Sequence, residues 1–174
     1  MAKARRKPDA IDLLKQDHRH VERLFKEFEK LHESGDHEAV DEIVETACME
    51  LQIHDKLEIE IFYPAVRQKA AEEEIDLLDE AEVEHTTVRD LIRKIEDLGP
   101  GADRRHAHFT VLSEYVKHHV KEEEKEMFPK VKKLDLDLRE LAARLQERKT
   151  ELMSEMGVES DEEASAEEER ETTH

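Results

Sequence analysis

The sequence predicts an all-α protein: an antiparallel up-down four-helix bundle, an extra C-terminal amphipathic helix and a disordered acidic tail. Composition supports this first. Charged residues make up 43% of the 174 positions, Gly and Pro number four each, Trp is absent, and no long alternating run marks a strand. Periodicity supports it second, because apolar residues recur at spacings of three and four along five segments. An internal repeat is the third support. Asp17-His18-x-x-Val21-x-x-Leu24-Phe25 is echoed by Glu84-His85-x-x-Val88-x-x-Leu91-Ile92, and His54-x-x-x-Glu58 before Pro64 by His119-x-x-x-Glu123 before Pro129. A chain of this length suits one domain with a sizeable core.

Residues 1–8 carry Lys3, Arg5, Arg6 and Lys7 and read as a short flexible arm. The first helix should open near Pro8-Asp9, where Pro fits a first turn and Asp caps. Its stripe is Ile11, Leu14, His18, Val21, Phe25 and Phe28, and Ser34-Gly35-Asp36 should end it. The second helix carries Val40, Ile43 or Val44, Ala47, Leu51, His54, Glu58, Ile61 or Phe62, and Ala65, with Pro64 expected to kink or restart it. Glu72-Glu73-Glu74 should mark the next turn. The third helix has Leu78, Ala81, His85, Val88, Ile92 and Ile95 and stops at Gly99-Pro100-Gly101. The fourth has Leu112, Tyr115 or Val116, His119, Glu123 and Met127. A fifth, from about Asp137 to Met156, has Leu138, Leu141, Leu145, Leu152 and Met156 on its stripe, with Asp137 and Glu140 spaced as a capping box. The domain division is therefore a basic arm at 1–8, a bundle at 9–133, a C-terminal helix at 134–157 and an acidic tail at 158–174.

The net charge of −19 argues against nucleic acid and anionic membrane surfaces as partners, since phosphate binding needs clustered Lys and Arg. No apolar run approaches the roughly 20 residues that span a bilayer, and the basic N-terminus lacks the apolar segment of a secretory signal. The single cysteine, Cys48, excludes an internal disulfide and suits a cytoplasmic setting.

The chemistry lies where polar residues interrupt the inward stripes. Each repeat places one histidine on its first helix and a His-x-x-x-Glu on its second, so both members of the pair share a helix face. The offsets match closely: 67 residues between the lone histidines (85 minus 18) and 65 between the paired ones (119 minus 54). One histidine on an apolar stripe is usually an ordinary core residue bonded to backbone. Six polar side chains in one core layer are costly, because each buried carboxylate without a cation costs several kcal/mol or takes up a proton. Two cations remove that cost together, and imidazole with carboxylate and no thiolate suits iron ahead of manganese or zinc. The candidate metal ligands are His18, His54, Glu58, His85, His119 and Glu123, with the neighbouring His118 as the fallback for His119. A rival Glu-x-x-His pattern, Glu29-x-x-His32 and Glu82-x-x-His85, has its first member off the inward stripe.

The ordered set of Asp17-His18, His54-x-x-x-Glu58 with Phe62-Tyr63-Pro64, His85, and His119-x-x-x-Glu123 with Phe128-Pro129 resembles the hemerythrin-like, HHE cation-binding family over roughly residues 10–132. The resemblance implies a four-helix bundle around two non-haem iron ions, oxo- or hydroxo-bridged. His18 and His54 would hold one, His85 and His119 the other, and Glu58 and Glu123 would bridge. Oxygen carriers of that family place a further histidine one turn after the one on the third helix, where this chain has Arg89. Four histidines instead of five would leave both irons accessible, which favours reaction or sensing over oxygen carriage. Tyr63 and Tyr115 are candidates for an extra ligand or an outer contact, or are simply core aromatics.

The expected function is that of a di-iron protein binding or reacting with oxygen, peroxide or nitric oxide, with catalase-like peroxide consumption as its enzymatic form. The alternative is a metal-dependent oxygen or iron sensor without turnover, and the rival from outside metal chemistry is a purely structural bundle. A monomer and a homodimer are equally compatible with the sequence.

Overall fold

The computed structural model of the chain describes residues 6–157. Residues 1–5 of the basic arm and the acidic tail lie outside that range. Every regular element within it is helical: α1 (Ala10–Ser34), α2 (His37–Leu57), a π-helical turn (Glu58–Phe62), α3 (Tyr63–Arg67), α4 (Glu72–Leu98), α5 (Arg105–Glu122), a second π turn (Glu123–Met127), α6 (Phe128–Val131) and α7 (Leu138–Glu155).

The ends follow the local chemistry. Asp9 caps α1 through the Asp12 N–H, and Asp12 accepts from the Asp9 N–H in return, so two otherwise unpaired donors are satisfied together. Gly35 closes α1 with φ 78°, a left-handed backbone that glycine adopts without steric cost. Asp36 caps α2 through the Ala39 N–H. Glu72, Glu73 and Glu74 do not form a turn as the sequence suggested. They open α4, where the positive end of the helix dipole favours acids, and Glu74 accepts the Ala71 N–H. Asp137 caps α7 through the N–H groups of Arg139 and Glu140.

Two apolar clusters fill the core. One gathers Ile11, Leu14, Leu57, Phe62, Tyr63, Phe128, Leu145 and Leu152 with their neighbours. The other gathers Val21, Phe25, Val44, Leu51, Val88, Phe109 and Val116 with theirs. Helices α1, α2 and α4 each cross from one cluster to the other, and α5 does so through the π turn and α6 that continue it; each carries an inward histidine at the crossing: His18 on α1, His54 on α2, His85 on α4 and His119 on α5. At the far end of the second cluster, buried Arg105 pairs with Asp41, whose other oxygen accepts the Gly101 N–H at 2.8 Å. That clasp ties the start of α5 and the loop before it to α2.

Candidate metal centre

The two π turns begin at the two inward glutamates and end just before the two prolines. A proline inside an α-helix has no N–H to give and crowds the carbonyl four residues back. Here the residue before each proline instead donates to a carbonyl five residues back, Tyr63 to Glu58 and Phe128 to Glu123. The wider turn takes in one extra residue. It therefore shifts the inward stripe by one: Phe62, Tyr63 and Val66 are buried after Glu58, and Met127, Phe128 and Val131 after Glu123. Ala65, expected inside from a 3.6-residue count, is only half-buried for this reason. Each proline sits in the first turn of the α-helical segment that follows, α3 or α6, so α-helix restarts there, as expected at Pro64, after the π turn.

All six inward polar residues meet in one layer. His18 Nε2 lies 3.2 Å from His54 Nε2, and His85 Nε2 lies 3.1 Å from His119 Nε2. Glu58 spans the two pairs, with Oε1 3.1 Å from His54 Nε2 and Oε2 3.1 Å from His85 Nε2. Glu123 spans them from the other side, with Oε2 3.2 Å from His18 Nε2 and 3.6 Å from His119 Nε2. Tyr63 donates its hydroxyl to Glu123 Oε1 at 2.7 Å and sits 3.1 Å from His85 Nε2. The other half of the layer has Phe128 stacked on His18 at 5.9 Å, without a hydroxyl.

Each imidazole turns its second nitrogen outward to a carboxylate. His18 Nδ1 meets Glu124 at 2.9 Å, His85 Nδ1 meets Asp55 at 2.7 Å and His119 Nδ1 meets Glu84 at 2.8 Å. His54 Nδ1 has Asp17 at 3.5 Å, a charge contact at the outer limit of hydrogen bonding. A carboxylate on Nδ1 fixes the ring orientation and aims the Nε2 lone pair inward, the arrangement that prepares an imidazole for a cation. Asp17, Asp55, Glu84 and Glu124 were not singled out for this role by the sequence. Their only signal is adjacency, since each lies next to one of the six inward residues.

Two carboxylate oxygens in the layer lack a hydrogen-bond partner: Glu58 Oε1 and Glu123 Oε2, both buried. Burial opposes ionisation of Glu58, but His54 and His85 outweigh it and hold the carboxyl well below its usual range. Burial likewise opposes charge on the imidazoles and is outweighed: Glu123 and Glu124 raise His18, Glu58 and Asp17 raise His54 well above its ordinary value, and Asp55 with Glu58 lifts His85 to about 9. Protons on imidazoles thus stand in for cations. Burial and the carboxylates of Glu123 and Glu58 push the Tyr63 phenol well up, so it keeps its proton. The donor set of imidazole nitrogens and carboxylate oxygens, with two oxygens lacking partners, fits hard or borderline divalent and trivalent metals such as iron. Cys48 lies in the second apolar cluster and adds no thiolate to the layer.

The remaining sequence candidates separate clearly. His119 is buried and His118 is 59% exposed, held by Glu122 at 3.1 Å, so the fallback is not needed to complete the layer. Tyr115 is 45% exposed, unlike the buried Tyr63. Arg89 does not reach the layer; it donates to Asp55 at 2.6 Å and so bears on His85 from outside. Glu29 pairs with Lys117 and Glu82 with Arg67, which leaves the Glu-x-x-His pattern without a site. A cavity of about 20 Å³ adjoins the four imidazoles, walled by Val21, Leu51, Val88, Val116 and Val120. It has room for one water or a diatomic molecule.

A helical fold whose core is divided by a layer of imidazoles and carboxylates defines a cation-binding helical protein. The chain matches the hemerythrin HHE cation binding domain over residues 9–131, and it belongs to that family. Searches of curated proteins and of solved structures gave no significant match. Among the described residues, no helix is long and apolar enough to cross a membrane.

Proposed function

We propose that the chain is a non-haem di-iron protein that binds or reacts with oxygen, peroxide or nitric oxide. His18 and His54 would hold one iron and His85 and His119 the other, with Glu58 and Glu123 supplying carboxylate oxygens to both positions. The observation that carries this reading is the pair of buried, unpartnered oxygens on Glu58 and Glu123 amid four convergent Nε2 atoms. Bound iron would supply the redox chemistry. The chain's own residues do the rest. Glu124, Asp17, Asp55 and Glu84 orient the imidazoles, the valine-walled cavity holds a small apolar guest and excludes bulk water, and Tyr63 keeps a proton at its hydroxyl beside Glu123 and His85. Arg89 stands where oxygen carriers have a fifth histidine and is engaged by Asp55, which favours reaction or sensing over carriage.

In this reading residues 9–133 form an up-down antiparallel four-helix bundle, supported by the alternating order in which α1, α2, α4 and α5, the last with the π turn and α6 that continue it, cross between the two apolar clusters. Residues 134–157 add a helix, and the chain works in the cytoplasm as a monomer or homodimer, without nucleic acid or membrane partners. The test is iron loading followed by peroxide. Two irons per chain with oxygen evolution support peroxide consumption. A spectral change without evolution leaves the sensor reading, and neither response removes the oxidant chemistry.

A further inference from the structure

Helix α7 lies beyond the family-matched residues 9–131, yet it touches the machinery of one half of the metal layer. Lys149 donates to Asp17 Oδ1 at 2.6 Å, and Asp17 Oδ2 faces His54 Nδ1 at 3.5 Å. One residue earlier, Arg148 donates to Glu60 at 2.8 Å, and Glu60 sits in the π turn that begins at Glu58. Arg148 is itself held by Glu151 and Glu155 of its own helix. Leu141, Leu145 and Leu152 of α7 are buried in the same apolar cluster as Phe62 and Tyr63. The helix thus reaches His54 through its outer carboxylate and Glu58 through its π turn.

The other three outer carboxylates find their outer partners inside the matched region: Glu124 has the Lys15 ammonium at 4.0 Å, Asp55 the Arg89 guanidinium at 2.6 Å and Glu84 the His118 ring at 3.6 Å. Asp17 alone of the four takes its cation from α7. We infer that Lys149 is a positioning residue for His54, acting through Asp17, and that docking of α7 is coupled to occupancy of the metal position held by His18 and His54. The inference rests on the di-iron reading above. Without Lys149 the Asp17 carboxylate loses its only paired ammonium among the described residues and is free to turn to solvent, so His54 loses its orienting partner. Loss of an outer partner of a metal-ligating histidine weakens metal affinity about 10- to 100-fold. By linkage, whatever strengthens docking strengthens that metal position, and the reverse holds equally.

The experiment compares iron release to a chelator from the full iron-loaded chain and its Lys149→Met variant, with helix content as the control for folding. We expect two phases in the variant, one iron leaving about 10-fold faster than in the wild type and the other unchanged. Lys149→Arg should restore the wild-type rate, and Asp17→Asn should reproduce the fast phase without adding to it in the double variant. Iron loading should also slow protease cleavage within α7 of the wild type and not of Lys149→Met. Unchanged release, or equal acceleration of both irons, overturns the inference while the di-iron reading stands. If Lys149→Met loses helix content, the Asp17→Asn variant decides by the same criteria. A wild-type chain that takes up no iron overturns the parent reading and this inference with it.

Discussion

Each buried imidazole is held between an outward carboxylate and an inward cluster of lone pairs, so single atoms decide how the layer behaves. Tyr63 is the clearest case. Its hydroxyl is the donor to Glu123 Oε1, and removing it strands a buried acceptor. Tyr63→Phe should therefore destabilise the metal-free protein by about 1–3 kcal/mol, read by urea unfolding. Tyr115→Phe, on an exposed residue, should change stability by less than about 0.5 kcal/mol and serves as the control. The six inward polar residues could be found in the sequence because they replace aliphatic residues on regular stripes. The outer carboxylates could not be singled out, because 47 acids in 174 residues put an acid beside five of the eleven histidines, buried and exposed alike. The choice between Tyr63 and Tyr115 was equally closed, since it depends on how far the chain turns after Glu58.

That turn is the property of an element. The π turns reconcile two demands that a regular helix cannot meet together: an inward glutamate, and a proline six residues later. Deleting exposed Glu60 would remove the extra residue and rotate Phe62 and Tyr63 away from the core. The cost should exceed about 3 kcal/mol, since burying one aromatic or large aliphatic side chain contributes about 1.5–3 kcal/mol. Glu60→Ala removes only the exposed pair with Arg148 and should cost under about 1 kcal/mol. Thermal unfolding of both variants separates the two effects. Helix boundaries were legible from Asp9, Gly35, Asp36 and Gly99, where cap and backbone chemistry is local. The one-residue shift was not read, although a hint existed: a 3.6-residue count from Glu123 puts Lys130 inside, whereas Val131 is the buried residue.

At the scale of the whole molecule, metal and protons compete for one layer. His85 has its pKa raised from 6.5 to about 9, so in the metal-free protein its contribution to stability is full below 6.5 and is lost as pH rises through about 9. Glu58 is shifted downward, so its contribution is present above 4.5 and is lost as pH falls through its lowered value. Iron reverses the first dependence, because a ligating imidazole must give up its proton. Between 6.5 and about 9 the metal-free protein should lose stability while iron affinity rises. Iron uptake at neutral pH should release protons, the His85 proton among them, which calorimetry in buffers of different ionisation enthalpy measures.

The most direct test of the central claim is the iron content and absorption spectrum of the loaded wild type beside its Glu58→Ala variant. The account predicts two irons per wild-type chain with the absorption of an oxo- or hydroxo-bridged pair, and loss of that absorption with fewer than two irons in Glu58→Ala. A wild-type chain that holds no iron, or a Glu58→Ala variant that matches the wild type in both content and spectrum, would contradict it.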